Sequence, residues 1–121
     1  HEEDDLEFNR FPRHCVKGSR GAGLIQELQG LANEEGTYKI YKSRYSSFHN
    51  TNLDDLLREL QPTEIHIVGV CTNICVLYTV EELCNRDYKT LVYKEGVASF
   101  DADAHLWAIK QMENVLGAKV I

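Results

Sequence analysis

Apolar positions recur at two different periods along this 121-residue chain, and each change of period marks an element. Leu24, Ile25, Leu28 and Leu31 fall at helical spacing and predict a short helix over residues 23–32. Thr37 to Tyr41 alternates polar and apolar like a strand. The stretch Lys42-Ser43-Arg44-Tyr45-Ser46-Ser47-Phe48-His49-Asn50 is too polar for either element and reads as a loop on the exit side of that strand. Leu53, Leu56, Leu57 and Leu60 then form one stripe of a helix that Thr51 or Asn52 can cap and Pro62 stops. Ile65 to Val70 is a nearly continuous apolar run, the pattern of a strand buried on both faces of a parallel sheet. Thr72 or Asn73 opens a helix through about Asn85, with Cys75, Tyr78 and Thr79 on one side. Thr90 to Tyr93 predicts another strand. Asp101 or Asp103 caps a helix carrying Ala104, Ala108, Met112 and Val115, and Gly117 closes it. Ala118 to Ile121 is a last strand, and residues 1–22, broken by Pro12, Gly18 and Gly21, read as loop.

Strand–helix alternation with short connections predicts an α/β fold. The expected form is a doubly wound, Rossmann-like parallel sheet with helices on both faces, a three-layer α/β/α arrangement over residues 1–121. Open sheets of this kind bind ligands at the carboxyl ends of their strands. Lys42 and the Val70-to-Cys75 segment both fall at such ends and are expected to face one crevice.

Composition narrows the function classes. The chain is 43% hydrophobic and 26% charged, as globular domains are, and its net charge of -6 argues against a nucleic-acid or anionic-membrane partner. No apolar run approaches the about 20 residues a membrane helix needs. Cys15, Cys71, Cys75 and Cys84 form no Cys-x-x-Cys pair and suit free thiols in a reducing compartment, so the cytoplasm is the expected location.

The segment Gly69-Val70-Cys71-Thr72-Asn73-Ile74-Cys75-Val76 carries a buried strand straight into a helix. A cysteine in the first turn of a helix feels the positive end of the helix dipole, which favours thiolate over thiol. The same turn offers unpaired backbone N–H groups, the raw material of an oxyanion hole. A neighbouring Lys would add to the first effect. The pattern alone admits two readings of Cys75, a reactive thiol or a small core residue. Lys42 is likewise either its charged neighbour or a solvated loop residue.

Two ordered motifs decide between these readings. Lys42-Ser43-Arg44-Tyr45-Ser46-Ser47-Phe48 with Thr51-Asn52-Leu53, followed by Gly69-Val70-Cys71-Thr72-Asn73-Ile74-Cys75-Val76, resembles the isochorismatase-like cysteine hydrolases. Val97-Ala98-Ser99 and the Ala108-to-Met112 helix continue the likeness, so it covers essentially the whole chain. The resemblance implies that Cys75 is the nucleophile and that Lys42 contacts its thiolate. It also implies that the backbone amides of Cys71 and Cys75 hold the oxyanion, with a cis peptide between Val70 and Cys71. The family's third catalytic residue is an Asp on an N-terminal strand. Nothing of that strand precedes His1, and Asp4 and Asp5 stand in the wrong place to replace it. A longer chain, missing its N-terminal part here, is therefore expected.

Within that family, Phe11-Pro12-Arg13-His14-Cys15-Val16-Lys17-Gly18-Ser19-Arg20-Gly21-Ala22 resembles the nicotinamidase branch, with Arg13 in place of a Pro. There the His is a metal ligand, joined by an Asp-x-His pair upstream, and His1-Glu2-Glu3 looks like the His of that pair. The resemblance implies that His1 and His14 bind a divalent Zn, Fe or Mn ion. The His1-to-His14 interval is shorter than in related sequences, so Glu7 is not assigned to the site. Phe11 and Tyr45 match positions that pack around a substrate ring, although each could equally be ordinary core. His49, His66 and His105 have no motif around them and read as structural, while Cys15 and Cys84 read as inert. The expected activity is hydrolysis of the small amide nicotinamide, and of pyrazinamide, to the acid and ammonia through a thioester, in a homo-oligomer. The alternatives are another small amide, carbamoyl compound or vinyl ether as substrate, or an inactive homologue.

Overall fold

Strands β1 (Ile65–Val70), β2 (Thr90–Ala98) and β3 (Lys119–Val120) form a parallel sheet in the order β1-β2-β3. The computed structural model describes all residues from His1 to Ile121, in two units, His1–Lys39 and Ile40–Ile121. The sheet lies in the second unit with helices α2 (Leu53–Leu60), α3 (Leu77–Cys84) and α4 (Ala102–Asn114). This is the parallel α/β architecture that the alternation predicts, and the three-layer arrangement is consistent with it.

One core holds this unit together. Val76, Leu77 and Val80 from the Cys75 side meet Val92 and Val97 of β2, Ala108, Ile109 and Met112 of α4, and Ala118. Val80, Val92, Ala108 and Met112 are fully buried. Burial of each of the larger side chains is worth roughly 1.5–3 kcal/mol relative to exposure. The core thus lies where α3 and α4 pack, next to the Cys75 turn.

The helix ends follow local chemistry. Asp101, not Asp103, caps α4: its side chain accepts from Ala104 N–H at 2.9 Å. Gly117, with φ of 78°, lies two residues beyond the cap residue Val115 rather than closing the helix directly. The cap chemistry of α2 comes from Thr51, whose Oγ1 accepts from Leu53 N–H at 3.3 Å. Gln61 turns left-handed at φ 49° just before Pro62, which cannot continue the helix.

Several expectations change. β1 is not buried on both faces; its positions alternate, and Val68 and Val70 stand exposed because nothing in this unit covers them. The register between β1 and β2 shifts between Ile67 and Gly69, and Gly69 takes φ of 125°, a conformation that L side chains rarely adopt. β2 runs on to Ala98, well past Tyr93. Thr37 to Tyr41 is not a strand: it finds no partner, and its backbone joins no ladder. Lys42 accordingly does not follow a strand.

The first unit is built from turns and short helices. It contains 3-10 turns at Leu6–Asn9, Arg20–Ala22 and Leu31–Asn33. The predicted helix over 23–32 shrinks to one turn, α1 (Gln26–Gln29). Leu24, Ile25, Leu28 and Leu31 are all about half exposed, so the apolar stripe lacks the packing that sustains a longer helix.

Candidate active site

The turn between β1 and α3 presents Cys75. The Val70–Cys71 peptide is cis, as expected. The carbonyl of Cys71 accepts from the N–H groups of Ile74 at 3.0 Å and Val76 at 3.2 Å. The second bond spans five residues, so Thr72–Val76 is a π turn and not the first turn of a regular α-helix. Such widened turns are frequent at functional sites. Cys75 sits in it as a half-buried free thiol.

Two side-chain bonds hold this turn from behind. Thr72, fully buried, lies with its Oγ1 2.8 Å from His105 Nδ1 on α4. Ser99 Oγ, just after β2, donates to Asn73 Oδ1 at 2.6 Å. His105 has no motif of its own, and its partner became visible only through the fold. Cys84, at the far end of α3, has a different environment: burial pushes its thiol up, partly offset by a bond with Thr90. That supports the expectation of an inert thiol.

The loop from Lys42 runs along the same side of the turn and α3. Lys42 Nζ donates to Cys75 Sγ at 3.3 Å and to the Arg44 carbonyl at 2.8 Å. Tyr45 stacks on Tyr78 with ring centroids 5.8 Å apart and planes 19° apart. Ser47 N–H donates to Thr79 Oγ1 at 3.1 Å, and Thr79 Oγ1 donates to Ser47 Oγ at 3.2 Å. The Arg86 guanidinium lies 4.3 Å from the Phe48 ring centre and bonds Asp54 and Glu82. Lys42, Tyr45, Cys71 and Cys75 thus belong to one unit and gather at one turn.

Phe11, His1 and His14 belong to the other unit. The His1 and His14 rings meet edge to face with centroids 4.8 Å apart, and Phe8 packs against both. His1 Nδ1 lies 3.0 Å from Asp5 Oδ2, and His14 Nδ1 lies 2.7 Å from the Pro12 carbonyl. Both partners only accept, so Nδ1 is the donor in each of these bonds. That is the orientation a metal-ligating His adopts, with its second nitrogen held by a carboxylate or carbonyl. The two rings thus stand side by side, each with its Nδ1 held in that way. No group of three or more His, Cys, Asp or Glu side chains here could hold a metal unaided. Asp5 is the residue that pattern reading passed over; only the turn that folds it back onto His1 reveals it. Phe11 is half-buried, with its N–H on the Glu7 carbonyl at 3.0 Å.

Comparison with known proteins matches residues 1–121 to the Isochorismatase domain. The chain belongs to the isochorismatase family. An isochorismatase family protein of Bacillus subtilis named PncA is 40% identical over 127 residues, which cover 99% of this chain and 69% of that protein. The crystal structure of the nicotinamidase/pyrazinamidase PncA from Bacillus subtilis superposes with a TM-score of 0.90 at 35% identity, covering 99% of this chain and 69% of that one. The pyrazinamidase of Pyrococcus horikoshii, solved in complex with zinc, gives a TM-score of 0.76 at 25% identity, over 92% of this chain and 62% of that one. The chain thus spans about two thirds of the length of these relatives. No helix of the family member described here is long and apolar enough to cross a membrane.

Proposed function

We propose that this chain carries the cysteine nucleophile of a nicotinamidase, which hydrolyses nicotinamide, and pyrazinamide as a close isostere, to the acid and ammonia. The observation that carries the reading is the 3.3 Å contact between Lys42 Nζ and Cys75 Sγ at the turn after β1. A cationic amine at that distance is placed to pair with the attacking sulfur and to orient it. The structural likeness to PncA-type enzymes supports amide hydrolysis as the chemistry and a nicotinamide-like ring as the substrate class.

The thiolate of Cys75 attacks the carboxamide carbon, forming a C–S bond and placing the carbonyl electrons on oxygen. The backbone amides of Cys71 and Cys75 are assigned as donors to that oxyanion, positioned by the Thr72 and Asn73 anchors behind them. Collapse of the adduct expels the nitrogen as ammonia once it has gained a proton. Water then adds to the thioester carbon, and the C–S bond breaks to give the carboxylic acid and restore the thiolate. The family's catalytic Asp would carry the proton in both halves. His1 and His14 would hold a divalent metal, Zn, Fe or Mn, and the chemistry such an ion supplies is that of a fixed Lewis acid. Tyr45, which stacks on Tyr78 beside the Cys75 turn, is assigned to the wall around the ring. The reading includes a cytoplasmic location, in keeping with four free thiols, and a homo-oligomer.

The test is ammonia release from nicotinamide by the full-length protein and its Cys75→Ala variant. The variant is expected to fold and to retain metal but to release no ammonia. Substantial turnover by Cys75→Ala would refute the nucleophile. A full-length protein that holds no metal and ignores chelators would point to another small amide or carbamoyl substrate for the same thiol.

A further inference from the structure

We infer that Thr79 is a positioning residue, which sets the register of the Lys42 loop on α3 and so delivers the Lys42 amine to Cys75. The inference rests on the Lys42–Cys75 reading given above. Lys42 opens the polar stretch of bends and turns over residues 43–50. Its four-carbon stem is flexible, and the loop backbone has to place it. A lengthwise shift of the loop comparable to the 3.3 Å Nζ–Sγ distance would break that contact. Something must pin the loop lengthwise.

Contacts along α3 show what does. Tyr45 on Tyr78 and Phe48 under Arg86 are ring contacts, and rings tolerate sliding across one another. The Thr79 contact is different in kind, because it holds a backbone atom. Thr79 Oγ1 accepts from Ser47 N–H and donates to Ser47 Oγ, so the hydroxyl is used in both directions on one loop residue. Thr51 Oγ1 donates to the Ser47 carbonyl at 2.6 Å, so both backbone polar groups of Ser47 are engaged. Thr79 is itself buried and stands four residues after Cys75, one helical turn along the same face. A helical Thr commonly turns its hydroxyl back to the carbonyl four residues earlier. Here the hydroxyl is given to the loop instead. Two points five residues apart in the loop, Lys42 and Ser47, thus meet two points four apart at the helix.

The experiment is carried out on the full-length protein and follows Cys75 alkylation by iodoacetamide, read on the Cys75 peptide by mass spectrometry across pH. Thr79→Val keeps the shape and removes both bonds. It is expected to slow Cys75 alkylation at neutral pH about tenfold and to move the profile to higher pH, as Lys42→Met does; tenfold at fixed pH corresponds to a shift of about one pH unit. Thr79→Ser is expected to restore the native profile. In a Lys42→Met background, Thr79→Val is expected to cause no further change, because it acts through the amine. Ser47→Ala, which spares the N–H bond, gives a smaller shift and serves if Thr79→Val fails to fold. A native profile in Thr79→Val or, failing that, in Ser47→Ala overturns the inference, as does an equal effect of either with and without Lys42. Alkylation needs no substrate. Failure of the nucleophile reading would instead appear as ammonia release by Cys75→Ala.

Discussion

Lys42 Nζ stands 3.3 Å from Cys75 Sγ although 33 residues separate the two in sequence. The amine is also tied to the Arg44 carbonyl at 2.8 Å, so its direction is fixed from its own loop as well as by the thiol. One contact is thereby held from two sides, by a loop pinned to α3 and by a π turn pinned to α4. Removing the amine should disable the thiol without unfolding the core, because Lys42 itself is exposed.

Lys42→Met is therefore expected to lower amide hydrolysis by about 10²-fold, the scale for losing one preorganised charge or donor at a reacting centre. The melting temperature should change little. Lys42→Arg should not restore the rate, since a planar fork does not reproduce a compact ammonium at that distance. Steady-state ammonia release with a parallel thermal melt checks both statements.

Metal content should follow the first unit and not the second. His14→Ala is expected to abolish stoichiometric metal in the full-length protein, as measured by elemental analysis, while the Cys75 alkylation rate stays native. Asp5→Asn removes the carboxylate that holds His1 Nδ1 and should weaken metal binding about 10–100-fold, the usual effect of losing such a support. Unchanged metal content in His14→Ala would remove that residue from the ligand set.

The core prediction concerns Met112. Its side chain is fully buried between α4 and β2 neighbours, so Met112→Ala should cost about 2–5 kcal/mol in chemical denaturation. Leu106→Ala, on the exposed side of the same helix, should stay within about 0.5 kcal/mol. Equal costs for the two would mean that α4 packs by a different face.

Acid sensitivity has one surface contribution with a defined sign. Lys89 Nζ donates to Glu64 Oε2 at 2.8 Å, and His66 Nε2 lies 2.9 Å from Oε1. These partners, Lys89 foremost, lower the Glu64 carboxyl from 4.5 to about 2. A lowered acid stabilises the fold in its ionised form, so the contribution is present above pH 4.5 and is lost as pH falls toward 2. Glu64→Gln should flatten the stability curve slightly in that window. The difference should shrink in 1 M salt, on the order of a 3 Å screening length, because the group is exposed. Denaturation midpoints across pH at two salt concentrations provide the check.

Apolar patterning by itself located β1, the Leu-rich α2, α3 and α4, because runs and periods of apolar residues are set locally along the chain. Motif order determined that Lys42 and Cys75 belong together and that His1 and His14 form a pair. Where a local pattern needed a partner to become an element, sequence reading failed. Thr37 to Tyr41 alternates like a strand yet joins no ladder, and Leu24 to Leu31 is spaced like a helix yet keeps only one turn. The exposed side of Val68 and Val70 escaped for the same reason, since an apolar run does not say what will cover it. Only the tertiary structure decided that Cys75 sits in a π turn, that His105 anchors Thr72, that Asp5 folds onto His1 and that Thr79 holds Ser47. Hydrogen bonds between residues far apart in the chain leave no period in the sequence, because their geometry exists only once packing has fixed both backbones.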